Sequence, residues 1–261
     1  MMTRNIAILF QCTPCHFAFL RKFRATLAAM FSRLCWIIMN QPSISTDGFR
    51  VVHAQHDFVV VEKASGLLSV PGIGAHNADC LATRVAAVFP GARNVHRLDQ
   101  HTSGLIVMAL NAQSHRELSM LFEARRVTKS YHAVAFGHAT SETGEINAPL
   151  RKEALGSARQ IVCNELGKAS VTRWKVEALL DHVPASVATS NSPCACTRFR
   201  LEPLTGRSHQ LRVHLLTLGQ PILGDDLYAP EEAKRVATRL CLHASELAWG
   251  NFSFCAPHPF H

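Results

Sequence analysis

Asp99 stands in the run HRLDQHTSGL, residues 96–105, between the basic pair His96-Arg97 and the turn residues Thr102-Ser103-Gly104, just ahead of the apolar run Leu105 to Leu110. A carboxylate so placed suits a held nucleophile or base better than a solvated surface acid. An isolated turn aspartate is more often a cap, so a second cluster adds the weight. Gly206 to His214, GRSHQLRVH, packs two arginines and two histidines into nine residues. Read as a helix from Ser208 to Leu218, ended by Gly219, it lays Leu211, Leu215 and Leu218 along one stripe. Arg212 then shares the other face with His209 and Ser208 and points out of the core, towards a carboxylate or a phosphate. Arg207 lies near the helix start, where backbone N–H groups also favour anions. The plain alternative is a solvated basic face. Tyr131, one of two tyrosines, follows Lys129-Ser130 at the head of a strand. Beside a catalytic aspartate its ring would suit stacking on a displaced nucleobase, worth roughly 1–3 kcal/mol per base. The plain alternative is a strand-end tyrosine packed on the core.

Other chemistries are poorly represented. There is no G-x-S-x-G, no phosphate-binding P-loop, no G-x-G-x-x-G after a strand and no H-E-x-x-H. Acids are sparse around Asp99, so a glycosidase-like carboxylate pair is not evident. The nine cysteines form no disulfide framework for a chain of 261 residues, which favours free thiols in a reducing cytoplasm. Cys12-x-x-Cys15 and Cys194-x-Cys196 are metal half-sites by spacing, but neither has a second ligand pair, and no metal is expected.

Composition bounds the rest. With 48% hydrophobic and 18% charged residues, the chain buries a sizeable core. A net charge of +8 permits a polyanionic partner such as RNA. Residues 1–38 hold five of the basic groups and no acid, leaving the remainder only mildly basic at +3.

That first segment is Arg-rich, acid-free and interrupted by charge before it reaches the ~18 apolar residues a membrane span needs. It has transit-peptide character, and would also suit a basic amphipathic helix on a membrane surface. Met39 opens a polar stretch that reads as a natural start, which would make the segment an over-extended gene start, the reading favoured here. Residues 1–48 are expected to carry no chemistry, and 49–261 to form the catalytic domain as a monomer without membrane anchorage.

The elements that must position the chemistry follow from pattern. Phe58 to Lys63 and Leu105 to Leu110 read as buried strands, with a glycine-punctuated loop from Gly66 to Gly72. Asn111 caps a helix running to about Arg126, with Leu118, Leu121 and Phe122 on one face. Tyr131 to Phe136 is a strand, and Val171 to Leu180 and Arg198 to Glu202 alternate loosely. Val183 to Cys196, rich in Ser, Ala, Pro and Thr, reads as a surface loop between hairpin strands. A last helix from about Pro230 to Arg239 leads into a strand from Leu240 to Trp249. Many strands and few, irregularly placed helices indicate an α+β fold around a mixed, largely antiparallel sheet with flanking helices and loops.

Three blocks in this order resemble the RluA family of pseudouridine synthases: VEKASGLLSVPG at 61–72, HRLDQHTSGL at 96–105 and GRSHQLRVHLLTLGQPILGDDLY at 206–228. Lys129-Ser-Tyr131 and Arg239-Leu-Cys-Leu-His-Ala244 also look like family features, so the resemblance spans roughly residues 50–260. It implies the pseudouridine synthase fold and isomerisation of uridine to pseudouridine within RNA, without cofactor or metal. Asp99 matches the family's essential aspartate, acting by covalent attack or by proton abstraction at the ribose. Arg212 matches the arginine that pairs with it, a pairing that would hold Asp99 as the anion. Tyr131 matches the tyrosine that stacks on the base and helps move the C5 proton. Arg97 would fill the space left by the flipped nucleotide, and Leu240 or Leu242 would wall the pocket. His96, Arg97, Thr102, Arg207, His209 and Gln210 are the candidate substrate-binding residues. A loop uridine costs a few kcal/mol to unstack, and basic groups hold the flanking phosphates.

The chain most resembles the short subgroup without an S4-like RNA-binding domain. That implies two targets, uridine 32 of tRNA anticodon loops and uridine 746 of 23S rRNA. The 1–48 extension and the 183–196 insertion depart from the pattern, and the insertion is placed to alter substrate choice. The competing readings are a synthase for another tRNA or rRNA uridine, a non-catalytic RNA-binding or folding factor, and a hydrolytic nucleosidase that would release free uracil.

Overall fold

The computed structural model describes residues 45–46, 48–72, 74 and 77–261. The segment before residue 45, with Cys12 and Cys15, lies outside the described residues. Thirteen strands and four helices follow from there. They are β1 (Ser45–Thr46), β2 (Phe49–Ala54), β3 (Phe58–Lys63), α1 (Leu81–Val88), β4 (Arg93–Asn94), β5 (Ser103–Ala109), α2 (Ala112–Glu123), β6 (Thr128–Phe136), β7 (Thr143–Asn147), β8 (Leu150–Lys152), β9 (Gln160–Val162), β10 (Val171–His182), β11 (Pro193–Pro203), α3 (Gln210–Thr217), α4 (Glu231–Arg235), β12 (Leu242–Trp249) and β13 (Phe252–Cys255).

One sheet runs β1-β2-β3-β5-β12-β6-β11-β10-β7, with β4 and β13 added at β5 and β12, and β8-β9 form a separate ribbon. Every pairing in the sheet is antiparallel except β5 with β12, where Ser103 and Gly104 lie beside His243 and Ala244. The fold is α+β on a mixed, largely antiparallel sheet.

Burial explains the sequence pattern. All seven β5 residues are buried, because Leu105, Val107 and Ala109 face one cluster with Leu118 and Trp249, while Ile106 and Met108 face another with Leu81 and Val85. A strand covered on both sides reads as continuous apolar sequence, not as alternation. β11 faces the core on one side, with Cys196, Phe199 and Leu201 inward beside Leu211 and Leu215.

Asn111 caps α2 as the sequence indicates, its side chain accepting the Ser114 N–H at 2.8 Å. The helix ends at Glu123, short of Arg126, because Arg125 takes a left-handed φ of 56°. Helix α1 was not expected. Its N-cap is Cys80, whose backbone N–H donates to the Thr83 hydroxyl at 3.1 Å, a signal that cap rules based on Ser, Thr, Asp and Asn overlook. The last helix is also shorter than expected. After Arg235 the chain bonds sideways to the 183–192 loop, through Thr189 N–H to Val236 O and Thr238 N–H to Val187 O. That loop is therefore more than surface. Val183 and Val187 are buried in the core, and Pro193 to Cys196 already belong to β11. Among the described residues no helix is long and apolar enough to cross a membrane.

Gly104 makes the parallel joint. Its φ is 113°, and a Cβ there would collide with the backbone of Ala244. Gly104→Ala should therefore lower stability by about 3 kcal/mol or more, combining backbone strain with overlap, read as a drop in urea midpoint at unchanged slope.

Candidate active site

Asp99 lies in the turn that leads into β5, with Thr102 N–H donating to its carbonyl at 3.2 Å. The glycine-punctuated block at 61–72 is the mould for this turn. Lys63 is fully buried at the end of β3, and its ammonium donates to the carbonyls of Gln100 (2.8 Å), Ala64 (2.8 Å) and Leu67 (2.7 Å). Three acceptors use all three protons of the charged form. Burial first, then Arg239, push Lys63 down to about 7, while Asp99 acts against them. Ser69 Oγ donates to Leu98 O and accepts Leu98 N–H, and Ser65 Oγ donates to His101 O. The backbone on either side of Asp99 is thus pinned by side chains from one short segment.

Two N–H donors face the carboxylate. His209 Nε2 and Arg212 Nη1 each lie 4.0 Å from Asp99 Oδ2. Helix α3 starts at Gln210, so His209 precedes it with φ 54° and does not share a helical face with Arg212. The expected leucine stripe is also incomplete. Leu211 and Leu215 are buried and Leu218 is exposed, while Gln210, Arg212 and His214 are buried as well. Arg212, only 3% exposed, points inward. Its direct partner is Asp225, in a two-pronged pair at 2.8 and 2.6 Å, with Asp226 at 3.1 Å and Asp99 farther out. Burial opposes its charge, but the Asp225 hydrogen bonds and charge outweigh it and raise its pKa. Asp225, fully buried, also accepts the N–H groups of Leu227 and Tyr228. Sequence reasoning missed Asp225, Tyr228 and Lys63; their only signal was membership in the matching blocks.

These groups meet at a cleft of about 640 Å³ lined by Asp99, Tyr131, His209 and Arg212. Tyr131 is half-buried, and burial followed by the charge of Asp99 raises its pKa, so it remains a phenol. Arg97 and Arg207 are exposed residues of the cleft lining, Arg207 Nε donating to Ala169 O at 3.2 Å. Lys129 and Arg125 also line the cleft. The Thr102 hydroxyl is buried against it with no hydrogen-bond partner among the described residues, which leaves it free for a substrate atom.

Three sequence-named residues are used differently. His96 accepts the Val107 N–H on Nε2 at 3.1 Å and stacks on Phe122 at 4.5 Å, so its ring is cleft wall. Gln210 accepts from Thr205 Oγ1 and Arg207 N–H and donates to Val171 O and Thr172 Oγ1; its whole amide is spent on the protein itself. Leu240 is core, 2% exposed among Leu223 and Cys241; of the two, Leu242 lines the cleft. No residue of the 183–192 loop lines it.

Metal-ligating chemistry fits poorly. Burial raises Cys194 and pushes Cys196 up to about 12, and the Cys196 thiol donates to His182 O. His132, Glu177 and His258 come together, but the His132–Glu177 contact is a 3.1 Å hydrogen bond, Arg198 lies beside Glu177, and His258 Nδ1 accepts the Phe260 N–H.

A carboxylate faced by a buried guanidinium and an imidazole, next to an aromatic ring and a cleft wide enough for a nucleoside, is equipped to work at a sugar carbon whose base has been turned out of its stack. The comparisons place that chemistry. Residues 57–217 match the family model for RNA pseudouridylate synthase, and the chain belongs to that family. It is 43% identical over 216 residues to the dual-specificity RNA pseudouridine synthase RluA of Pasteurella multocida, covering 80% of this chain and 93% of the relative. The corresponding enzyme of Escherichia coli K12 is 42% identical over the same shares. Among solved structures, human RNA pseudouridylate synthase domain containing 1 superposes with a TM-score of 0.68 at 31% identity, over 85% of this chain and 87% of that one. Human domain containing 4, at 22% identity and TM-score 0.61, supports the fold.

Two outcomes follow from this geometry. Asp225→Ala leaves the Arg212 guanidinium buried without its main partner and should cost about 3–5 kcal/mol of unfolding free energy, measured by chemical denaturation. His96 and His243 are each held at about 3, by burial first and then by Lys129 and Arg239 respectively. Unfolded, both bind a proton near 6.5, so in the window between those values the unfolded state carries more protons and stability falls as pH falls. Denaturation titrations from about pH 7.5 to about pH 5 should show a loss on the order of 1 kcal/mol per histidine per pH unit below about 6.

Proposed function

We propose that this chain isomerises uridine 32 of tRNA anticodon loops and uridine 746 of 23S rRNA, acting as a cytoplasmic monomer. The observation that carries the reaction is the convergence of His209 and Arg212 on Asp99 Oδ2 beside the Tyr131 ring. The dual specificity of the relatives supports the choice of RNAs.

In the reaction the N1–C1′ bond breaks, the uracil turns in the cleft and its C5 bonds to C1′; N1 gains a proton and C5 loses one. Asp99 serves either as nucleophile at the sugar or as base at the ribose. Tyr131 stacks on the turned-out base as a phenol, a role that its raised pKa favours over that of a standing base. Leu242 closes the apolar side of the cleft, Thr102 Oγ1 offers an unspent hydroxyl, and Arg97 takes the place of the extruded nucleotide. Arg207 holds a flanking phosphate in a salt-dependent way. The described thiols are free and Cys80, Cys194, Cys196 and Cys241 are buried, consistent with a reducing compartment.

Carbodiimide-adduct primer extension on unmodified tRNA and 23S rRNA tests this. The wild type should produce a stop at each of the two uridines. Asp99→Asn should reduce both by about 10³-fold or more, about 4 kcal/mol of barrier, while still binding RNA. Stops at other uridines would overturn the target assignment and keep the chemistry. Free uracil instead of stops would indicate hydrolysis, and Asp99-independent function would indicate a binding factor.

A further inference from the structure

We propose that Tyr228 is a positioning residue that fixes the ring tautomer of His209, so that the imidazole presents Nε2–H to Asp99. This rests on the isomerase reading above and adds a residue to its machinery.

Tyr228 Oη lies 2.8 Å from the Gln160 N–H and 2.7 Å from His209 Nδ1. The backbone amide can only donate, so the hydroxyl accepts there, and its single proton is directed at Nδ1. Burial raises the Tyr228 pKa and keeps that proton in place. Burial also lowers His209, against the pull of Asp99, which favours a neutral ring with one proton. With Nδ1 accepting, that proton sits on Nε2, the atom 4.0 Å from Asp99 Oδ2. The opposite tautomer would aim a nitrogen lone pair at a carboxylate.

Tyr228 is itself tightly held. The guanidinium groups of Arg159 and Arg212 lie 5.3 and 5.1 Å from its ring centroid, and its N–H donates to Asp225. Asp225 therefore anchors both donors that face Asp99 Oδ2: Arg212 directly, and His209 through Tyr228. Both stand just beyond hydrogen-bond distance, as catalytic contacts often do before substrate closes the site. With two donors assigned to Oδ2, the other carboxylate oxygen is the one presented to the ribose.

The test separates tautomer from scaffold. Long-range proton–nitrogen spectra of the full chain, with the His209 signals assigned by His209→Gln, should show the Nε2–H form, and Tyr228→Phe should convert it to a mixture. In single-turnover assays on tRNA, Tyr228→Phe should slow the chemical step about tenfold, about 1.4 kcal/mol, with RNA affinity unchanged. His209→Gln places an amide N–H near the Nε2 position with no ring tautomer to fix, so Tyr228→Phe should cost nothing further in that background. An Nδ1–H ring in the wild type, a tautomer indifferent to Tyr228→Phe, or an equal loss in both backgrounds would overturn the proposal. A wild type that isomerises no RNA would sink the proposed function instead, and the spectra would still decide the tautomer.

Discussion

The buried pair between Arg212 and Asp225 is the interaction on which the site depends. A guanidinium removed from water is tolerated only with a well-shaped anionic partner, and here the carboxylate meets it with two parallel hydrogen bonds. The same carboxylate accepts two backbone N–H groups of the following turn, so one side chain sets both the arginine and the segment that carries Tyr228. The Arg212–Asp99 pairing implied by family resemblance is present as a longer ion pair at 4.0 Å, outside the bidentate contact with Asp225. Arg212 reaches Asp99 as a 4.0 Å neighbour, leaving the reactive carboxylate oriented without being locked into a bidentate bridge. A nucleophile or base needs that freedom.

The other half of the constraint comes from the sheet. β5 and β12 run parallel for two residue pairs, and Gly104 lets their backbones approach closely enough to do so. That joint delivers the Asp99 turn to the same place as Leu242 and Tyr131, on neighbouring strands β12 and β6. Lys63 then closes the turn from below with its three carbonyl contacts. The ammonium is costly to bury and remains because the loop carbonyls need a donor. Lys63, Ser65 and Ser69 of the 61–72 block are thus spent on holding backbone, not on touching substrate.

Charge is arranged locally. The net +3 of the chain beyond residue 38 is weak as a footprint for RNA. Yet Arg97, Arg125, Lys129 and Arg207 all line one cleft, and acids other than Asp99 and Glu123 are missing from its lining among the described residues. A cleft with an excess of positive charge focuses the field where the polyanion must bind. The 183–192 loop, by contrast, packs on α4 and contributes nothing to that lining, so the place to look for its effect is away from the target base.

Local physics was legible in the sequence. The doubly buried β5, the Asn111 cap of α2, the β10–β11 hairpin and the α+β class all follow from periodicity, propensity and capping, which act within a few residues. Asp99, Tyr131, His209 and Arg212 could be named as cleft residues from motif blocks alone. What tertiary structure decided is which partner each of them has. Arg212 was expected to face outward on a helical stripe, yet it turns in because Asp225, thirteen residues later, offers a buried carboxylate. His209 left the helix for a left-handed turn that brings it to Tyr228, and Gln210 spent its amide on β10. Leu240 and Leu242 could not be told apart, because both lie on the same side of an alternating run; packing decides that Leu240 joins the core while Leu242, the first residue of β12, lines the cleft. Such choices arise from contacts between segments far apart in the chain, where no local period or cap carries the information.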